Sequence, residues 1–209
     1  MNRYAQSVRK AALAVAFSLY LAPWSSAGAQ SAEGDPVAAR QLKSGQSVLS
    51  TEQRPDGHKW VKARIFIKAS PHVVWETVHE ERKRDPDLAY SKVLKQEHNQ
   101  SVLEQKFALI PVIGTAVCVM NNTEVPLQRI DYNMVSSDRF KALEGSWVLT
   151  PTEDNSATYL ELSSYLDMGL PVPRPFVESV TAKKLQRRLS NVKNMAEATQ
   201  SRLAHARAN

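Results

Sequence analysis

The chain has 209 residues, with 27 Lys and Arg against 21 Asp and Glu, for a formal charge of +6. Three of the cations, Arg3, Arg9 and Lys10, lie in the first 29 residues with no acid among them, so the remainder carries only +3. So modest an excess gives no reason to expect a nucleic-acid partner. The single cysteine, Cys118, excludes an intramolecular disulfide and a cysteine-based metal site.

The chain opens with a pattern expected of an export signal. A basic start is followed by the short apolar run Ala11 to Ala22, and Ala27-Gly28-Ala29 fits a small-x-small cleavage site before Gln30. The run is short of the roughly 20 residues that a membrane span needs. Residues 1–29 are therefore expected to be a signal peptide, and the mature protein to be periplasmic or secreted. The polar stretch 30–46 is expected to be a flexible leader, and residues 47–205 to form one domain.

Residues 47–53, before the turn signal Pro55-Asp56-Gly57, are expected to form an edge strand paired with the strand after that turn. From Lys59 to Lys68, Ala63, Ile65 and Ile67 alternate with Lys62, Arg64 and Lys68, the period of a half-buried strand. Ser70-Pro71 then reads as N-cap and first position of a short helix, with Val73, Val74, Trp75 and Val78 on its apolar side. The run 80–87, EERKRDPD, is expected to be a solvated helix end and loop.

From Tyr90 onward the period is two. Strands are expected over 90–98, 101–109, 115–125, 128–137, 143–151 and 156–168. The links between them are too short for parallel crossovers, so the strands form an antiparallel meander. The last element runs from Pro173 to about Leu203. Val177, Thr181, Leu185, Leu189, Val192, Ala196 and Leu203 fall on one side of a helix roughly 45 Å long. The expected fold is α+β, with a curved antiparallel sheet of about six to seven strands wrapped around a long C-terminal helix.

Four local features carry a family resemblance: the strand-to-helix junction Ile65 to Pro71 followed by Val74-Trp75; the strand Leu143-Glu144-Gly145-Ser146-Trp147; the final strand Ala157 to Leu162; and the Pro-rich helix entry Leu170 to Pro175. In order and spacing they resemble the START-like (SRPBCC) helix-grip superfamily of polyketide cyclases and coenzyme-Q-binding START proteins. The resemblance covers about residues 58–200. It implies an apolar cavity between sheet and terminal helix that takes a lipid, quinone, polyketide-like or other hydrophobic molecule. It does not decide between carrier and enzyme.

Alternation nominates the cavity side chains: Phe107 and Leu109, Val117 and Val119, Tyr132 and Met134, Trp147 and Leu149, Leu160 and Leu162. The terminal helix adds Val177, Thr181, Leu185 and Leu189, and the short helix adds Trp75. Core packing and ligand contact use the same residue types, so both readings stay open for each. Tyr132, Thr181 and Trp147 also bring polar groups to an apolar face, where such groups need partners.

No catalytic residue, metal site or cofactor is assigned. There is no G-x-S-x-G elbow, and His72 and His79, the two histidines that share an element, are too far apart along a helix to chelate one ion and are expected at its solvent-facing ends. Asp131, Tyr132 and Asp167 are the candidate acid/base groups, with outward strand positions and a loop cap as the plainer reading of the carboxylates. Cys118 is expected to be a small buried hydrophobe. Lys183, Lys184, Arg187 and Arg188 serve either solubility or contact with an anionic membrane surface. The leading function is an exported binding protein for a hydrophobic small molecule. The rivals are a cyclase or dehydratase using the same cavity, and a module that grips a partner peptide. Oligomeric state is left open.

Overall fold

The computed structural model describes residues 36–108 and 114–208. The expected signal segment lies outside the described residues. In chain order the elements are α1 (Pro36–Lys43), β1 (Val48–Gln53), β2 (Lys59–Ile67), α2 (Pro71–Lys83), β3 (Leu88–Glu97), β4 (Gln100–Ala108), β5 (Thr115–Val125), β6 (Arg129–Ser137), β7 (Ala142–Pro151), β8 (Thr158–Asp167) and α3 (Arg174–Ala208). The eight strands form one antiparallel sheet in the order β1-β2-β8-β7-β6-β5-β4-β3. Strands β3 to β8 are the expected meander, and the hairpin β1–β2 closes onto β8. The sheet thus has one strand more than the upper end of the expectation, with β1 pairing β2 from Val48↔Arg64 to Gln53↔Lys59.

Burial along β2 alternates because its odd positions face the helices. Ala63, Ile65 and Ile67 are buried there, while Lys62 and Arg64 lie on the opposite face. Pro71 opens α2, as its missing N–H costs nothing in a first turn. Ser70 has the extended backbone of an N-cap, but its side chain makes no cap hydrogen bond. Its own N–H donates instead to Gln200 Oε1 at 3.2 Å, and the Lys68 N–H donates to Glu197 Oε1 at 2.9 Å. Both acceptors belong to α3, whose rear half is fastened to the β2–α2 junction.

The apolar side of α3 holds the main core. Leu185, Leu189, Val192 and Ala196 pack with Val74 and Val78 of α2, and with Ile65, Trp147, Leu160 and Leu162 of the sheet. The stripe ends at Ala196. Leu203, expected on it, is exposed because α3, 35 residues long, outruns the sheet. A second cluster joins Ala116, Cys118 and Met120 of β5 to Phe140 and Met168. Cys118 is buried as expected; burial pushes its thiol up, against a contact to Ser137 Oγ at 3.3 Å.

Three local expectations are corrected. Residues 36–43, read as flexible leader, form α1, which buries Ala38 and Leu42. The turn after α1 lies against α3, with the Gln186 amide donating to Ser47 Oγ at 3.2 Å. His79, expected in solvent, is half-buried edge-on to Trp75 at 5.0 Å. The charged run 80–87, read as a solvated helix end and loop, is so only in part: Lys83 and Arg84 are exposed, but Glu81 and Asp85 are buried against α3.

Burial lowers the proton affinity of His79 below its ordinary value of 6.5, although Glu124 stands 3.5 Å away. The neutral ring is favoured in the folded chain, so the unfolded chain takes up the proton first as pH falls. Stability tied to His79 is full above pH 6.5 and declines on acidification below it. His79→Gln is expected to flatten the loss of urea midpoint between neutral pH and the onset of carboxylate protonation. An unchanged slope would remove His79 as its source.

Candidate functional site

Between the two core clusters lies a cavity of about 590 Å³, roofed by the first half of α3 and floored by the concave face of the sheet. Its apolar wall comes from Phe107, Phe140, Leu143, Trp147, Leu166 and Met168. From α3 it receives Val177, Thr181 and Leu185, and at its mouth Phe176 and Val180 are exposed. A second, more polar recess of about 480 Å³ lies beside it under the 168–174 loop, and Ser164, Leu166, Met168, Val177 and Thr181 border both.

Of the candidates from alternation, Phe107, Tyr132, Trp147, Val177, Thr181 and Leu185 line the cavity. Trp75, Leu149, Leu160, Leu162 and Leu189 do not: they are core, packed in the main cluster. Met134 packs against the second cluster without reaching the cavity. Val117 and Val119 are corrected outright. Ala116, Cys118, Met120 and Asn122 are the inward residues of β5, and the two valines lie on the opposite face. Residues 115–120 are apolar at nearly every position, so alternation could not choose the face. Leu109 lies outside the described residues.

Gly145 explains how Tyr132 reaches the cavity floor. The two are paired across β6 and β7, and a Cβ at 145 would stand 2.2 Å from both the Tyr132 hydroxyl and the Ser163 carbonyl oxygen. Without a side chain at 145 the phenol lies flat across the strand and donates to the Ser163 carbonyl at 3.1 Å. Burial pushes the Tyr132 hydroxyl up in pKa, so it keeps its proton at neutral pH.

The polar wall comes from α2, α3 and β5. Arg188 Nε reaches both Glu81 carboxylate oxygens at 3.0 Å, and its Nη2 reaches Oε2 at 2.7 Å. Its Nη1 lies 3.2 Å from Asp85 Oδ2, and its guanidinium carbon is 5.0 Å from the centre of the Trp147 ring. Burial works against the Arg188 charge, but Glu81 and Asp85 outweigh it and hold the group above its usual value. Arg82 donates to Asn122 Oδ1 at 2.8 Å and to Glu124 at 3.3 Å; burial pulls its affinity down. Towards the mouth, Lys184 and Arg187 share Asp87, each at 3.0 Å. Asp87 is partly buried, which opposes ionisation, yet the two cations hold its carboxyl below the usual range.

These pairs bear on the cations and carboxylates singled out from the sequence. Of the four cations proposed for membrane contact, Lys184, Arg187 and Arg188 are ion-paired within the chain, the first two sharing Asp87; Lys183 is exposed at the cavity rim. Asp131, a candidate acid, lies on the opposite sheet face, ion-paired with Arg129 at 2.7 Å. Asp167 Oδ1 accepts from the Gly169 N–H at 2.8 Å, the loop cap of the plainer reading. The interior carboxylate Asp85 is engaged by Arg188 and, at 3.9 Å, by Lys184.

One donor set outside the cavity could hold a divalent ion. His58 Nδ1 lies 2.9 Å from Glu144 Oε1 and 3.5 Å from Asp56 Oδ2, and all three donor atoms fall within 4.8 Å of one another. The His58 ring stacks on Tyr165 at 4.0 Å. A protonated imidazole between two carboxylates satisfies the same geometry.

Sequence reasoning did not place Arg82, Asp85 or Asn122 in the site, and read Arg188 only as a cation for solubility or membrane contact. For Arg188 a signal existed: it stands three residues after Leu185 and four before Val192, on the apolar stripe itself.

An eight-stranded antiparallel sheet, a long C-terminal helix and a cavity between them define an α+β protein of the helix-grip class. The chain belongs to the family described as polyketide cyclase / dehydrase and lipid transport, which matches residues 59–197. Among solved structures it is similar to the Zhui aromatase/cyclase from Streptomyces sp. R1128, at 18% identity and a TM-score of 0.56, covering 66% of this chain and 93% of that one. A START superfamily protein from Mycobacterium smegmatis matches at 18% identity and TM-score 0.55, covering 70% and 99%. A STAR-related lipid transfer protein fragment from Xanthomonas axonopodis matches at 14% and 0.55, covering 71% and 98%. At these identities the likeness is one of fold. No curated protein sequence matches the chain.

Proposed function

We propose that the protein is an exported binding protein that holds a hydrophobic small molecule, of lipid, quinone or polyketide-like character, between the sheet and α3. The observation that carries this reading is the cavity of about 590 Å³ with apolar walls. That volume is in the range of small-molecule sites. Burial of apolar ligand surface would supply about 25 cal/mol per Å² before association costs. The family's description as one of cyclases, dehydrases and lipid transport supports the same ligand class. Export rests on the sequence of residues 1–29.

Native mass spectrometry and solvent extraction of the purified protein test the reading. An apolar adduct is expected on wild type, with a mature N-terminus at Gln30. Val177→Trp, which would fill the cavity from its roof, is expected to reduce adduct occupancy about tenfold or more, with a cost to stability of about 1–3 kcal/mol from overpacking. A wild-type protein that yields no apolar compound and binds no naphthalene-type probe would overturn the reading.

A further inference from the structure

Resting on the reading of this cavity as a binding site, we infer that its polar wall selects an uncharged ligand bearing a hydrogen-bond acceptor, such as a carbonyl, and that Asn122 is the group that reads it. Asn122 is 2% exposed, faces inward from β5 directly opposite Tyr132, and borders the cavity. Its Oδ1 accepts from Arg82 Nη2 at 2.8 Å. That contact fixes which way the amide points, because a guanidinium can only donate. The amide nitrogen Nδ2 is therefore the free branch, and it is buried with no hydrogen-bond partner among the described residues. A buried donor left unpaired is costly and uncommon. An acceptor supplied by a ligand at the adjoining wall removes that cost.

The charges beside it determine which acceptor fits. Two guanidiniums border the cavity there, and both are matched: Arg188 by Glu81 and Asp85, Arg82 by Glu124. Nearer the mouth, Asp87 occupies Lys184 and Arg187. A carboxylate entering this wall would lose its water and find no uncommitted cation beside Asn122, the unpaired Lys183 lying out at the rim, with Glu81 and Asp85 adding repulsion. An ammonium would meet Arg82 and Arg188. The Tyr132 proton is committed to the Ser163 carbonyl, so the phenol is not a spare donor. A neutral carbonyl oxygen can accept from Asn122 Nδ2 without breaking any ion pair once a small shift of the adjoining wall uncovers this buried nitrogen, with its carbon body against Phe140, Trp147 and Leu166.

Three probes of one shape separate these cases by isothermal titration of the full-length mature protein: 2-acetylnaphthalene, 2-ethylnaphthalene and 2-naphthoate. Wild type is expected to bind the ketone about tenfold or more tightly than the ethyl compound, and the carboxylate most weakly. Asn122→Asp keeps an oxygen for Arg82 but exchanges the free donor for an acceptor, and is expected to bring the ketone-to-ethyl ratio to one or below. Asn122→Leu, read by the same ratio, serves if the aspartate variant does not fold. If wild type yields no apolar compound on extraction and binds neither neutral probe, the cavity reading itself fails. If both bind equally, or the ratio survives in the variants, the role of Asn122 fails while the cavity stands. Tightest binding of 2-naphthoate would overturn the charge argument.

Discussion

Arg188→Met is expected to cost about 3–5 kcal/mol of folding stability, read as a fall in the urea midpoint. The guanidinium is the shared partner of Glu81 and Asp85, which are only 3% and 4% exposed. Its removal leaves Glu81 buried without its cation and Asp85 with only Lys184 at 3.9 Å, the situation in which losing one member of an ion cluster costs most. Attraction within the cluster is not what the number measures, since taking all three charges out of water carries its own penalty. The triple replacement Glu81→Leu, Asp85→Leu, Arg188→Met is accordingly expected to recover most of the loss. A single variant that loses less than about 1 kcal/mol would mean that water reaches the carboxylates from the cavity and compensates them.

Gly145→Ala is expected to be nearly as damaging, at about 3 kcal/mol or more, above the usual range for overpacking. The reason is geometric. The added carbon would stand 2.2 Å from the Ser163 carbonyl oxygen as well as from the Tyr132 hydroxyl. A flexible ring could swing aside; a backbone oxygen in the β7–β8 pairing cannot move without breaking the ladder. Tyr132→Phe in the alanine background is therefore expected to rescue little, because it removes the hydroxyl but leaves the ring carbon Cζ, 2.3 Å from the added carbon, and the Ser163 carbonyl. Full rescue would show that the carbonyl and the ring give way and that the hydroxyl alone sets the requirement for glycine. Circular dichroism melts of the single and double variants distinguish the two.

Much of the fold was legible because each element repeats one period long enough to be unambiguous. The strands of the meander fall within a few residues of the periods read from the chain, and the stripe from Thr181 to Ala196 is the buried side of α3. Legibility failed where a pattern carried two answers. Residues 115–120 offer apolar side chains to both faces, so alternation nominates Val117 and Val119 although Ala116, Cys118 and Met120 are the inward set. In α1 only Ala38 and Leu42 are buried, too few to show a period in eight residues.

The polar half of the site was illegible for a different reason. Its charges balance across elements far apart in sequence: Glu81 and Asp85 near the end of α2 meet Arg188 more than a hundred residues later. Read locally, 80–87 and 183–188 each look like solvated charge. The informative sign was that Glu81 follows Val74 and Val78, and Arg188 interrupts Leu185 and Val192, so each sits on the apolar side of its own helix. An acid and a base so placed on two helices call for each other.

The fastening of α3 has a consequence for how the cavity is reached. Its rear half is held by the packed core from Leu189 to Ala196 and by Glu197 and Gln200 at the β2–α2 junction. Its front turns carry Phe176 and Val180, already about half in water, over the cavity mouth. One continuous helix therefore joins a rear packed into the core to a front held by less, the Lys59–Glu178 ion pair at 2.8 Å and the inward Val177 and Thr181. On the proposed reading of the cavity as a binding site, admission and release would call for local work at residues 174–181, with the rear of the same helix as the fixed post of that door.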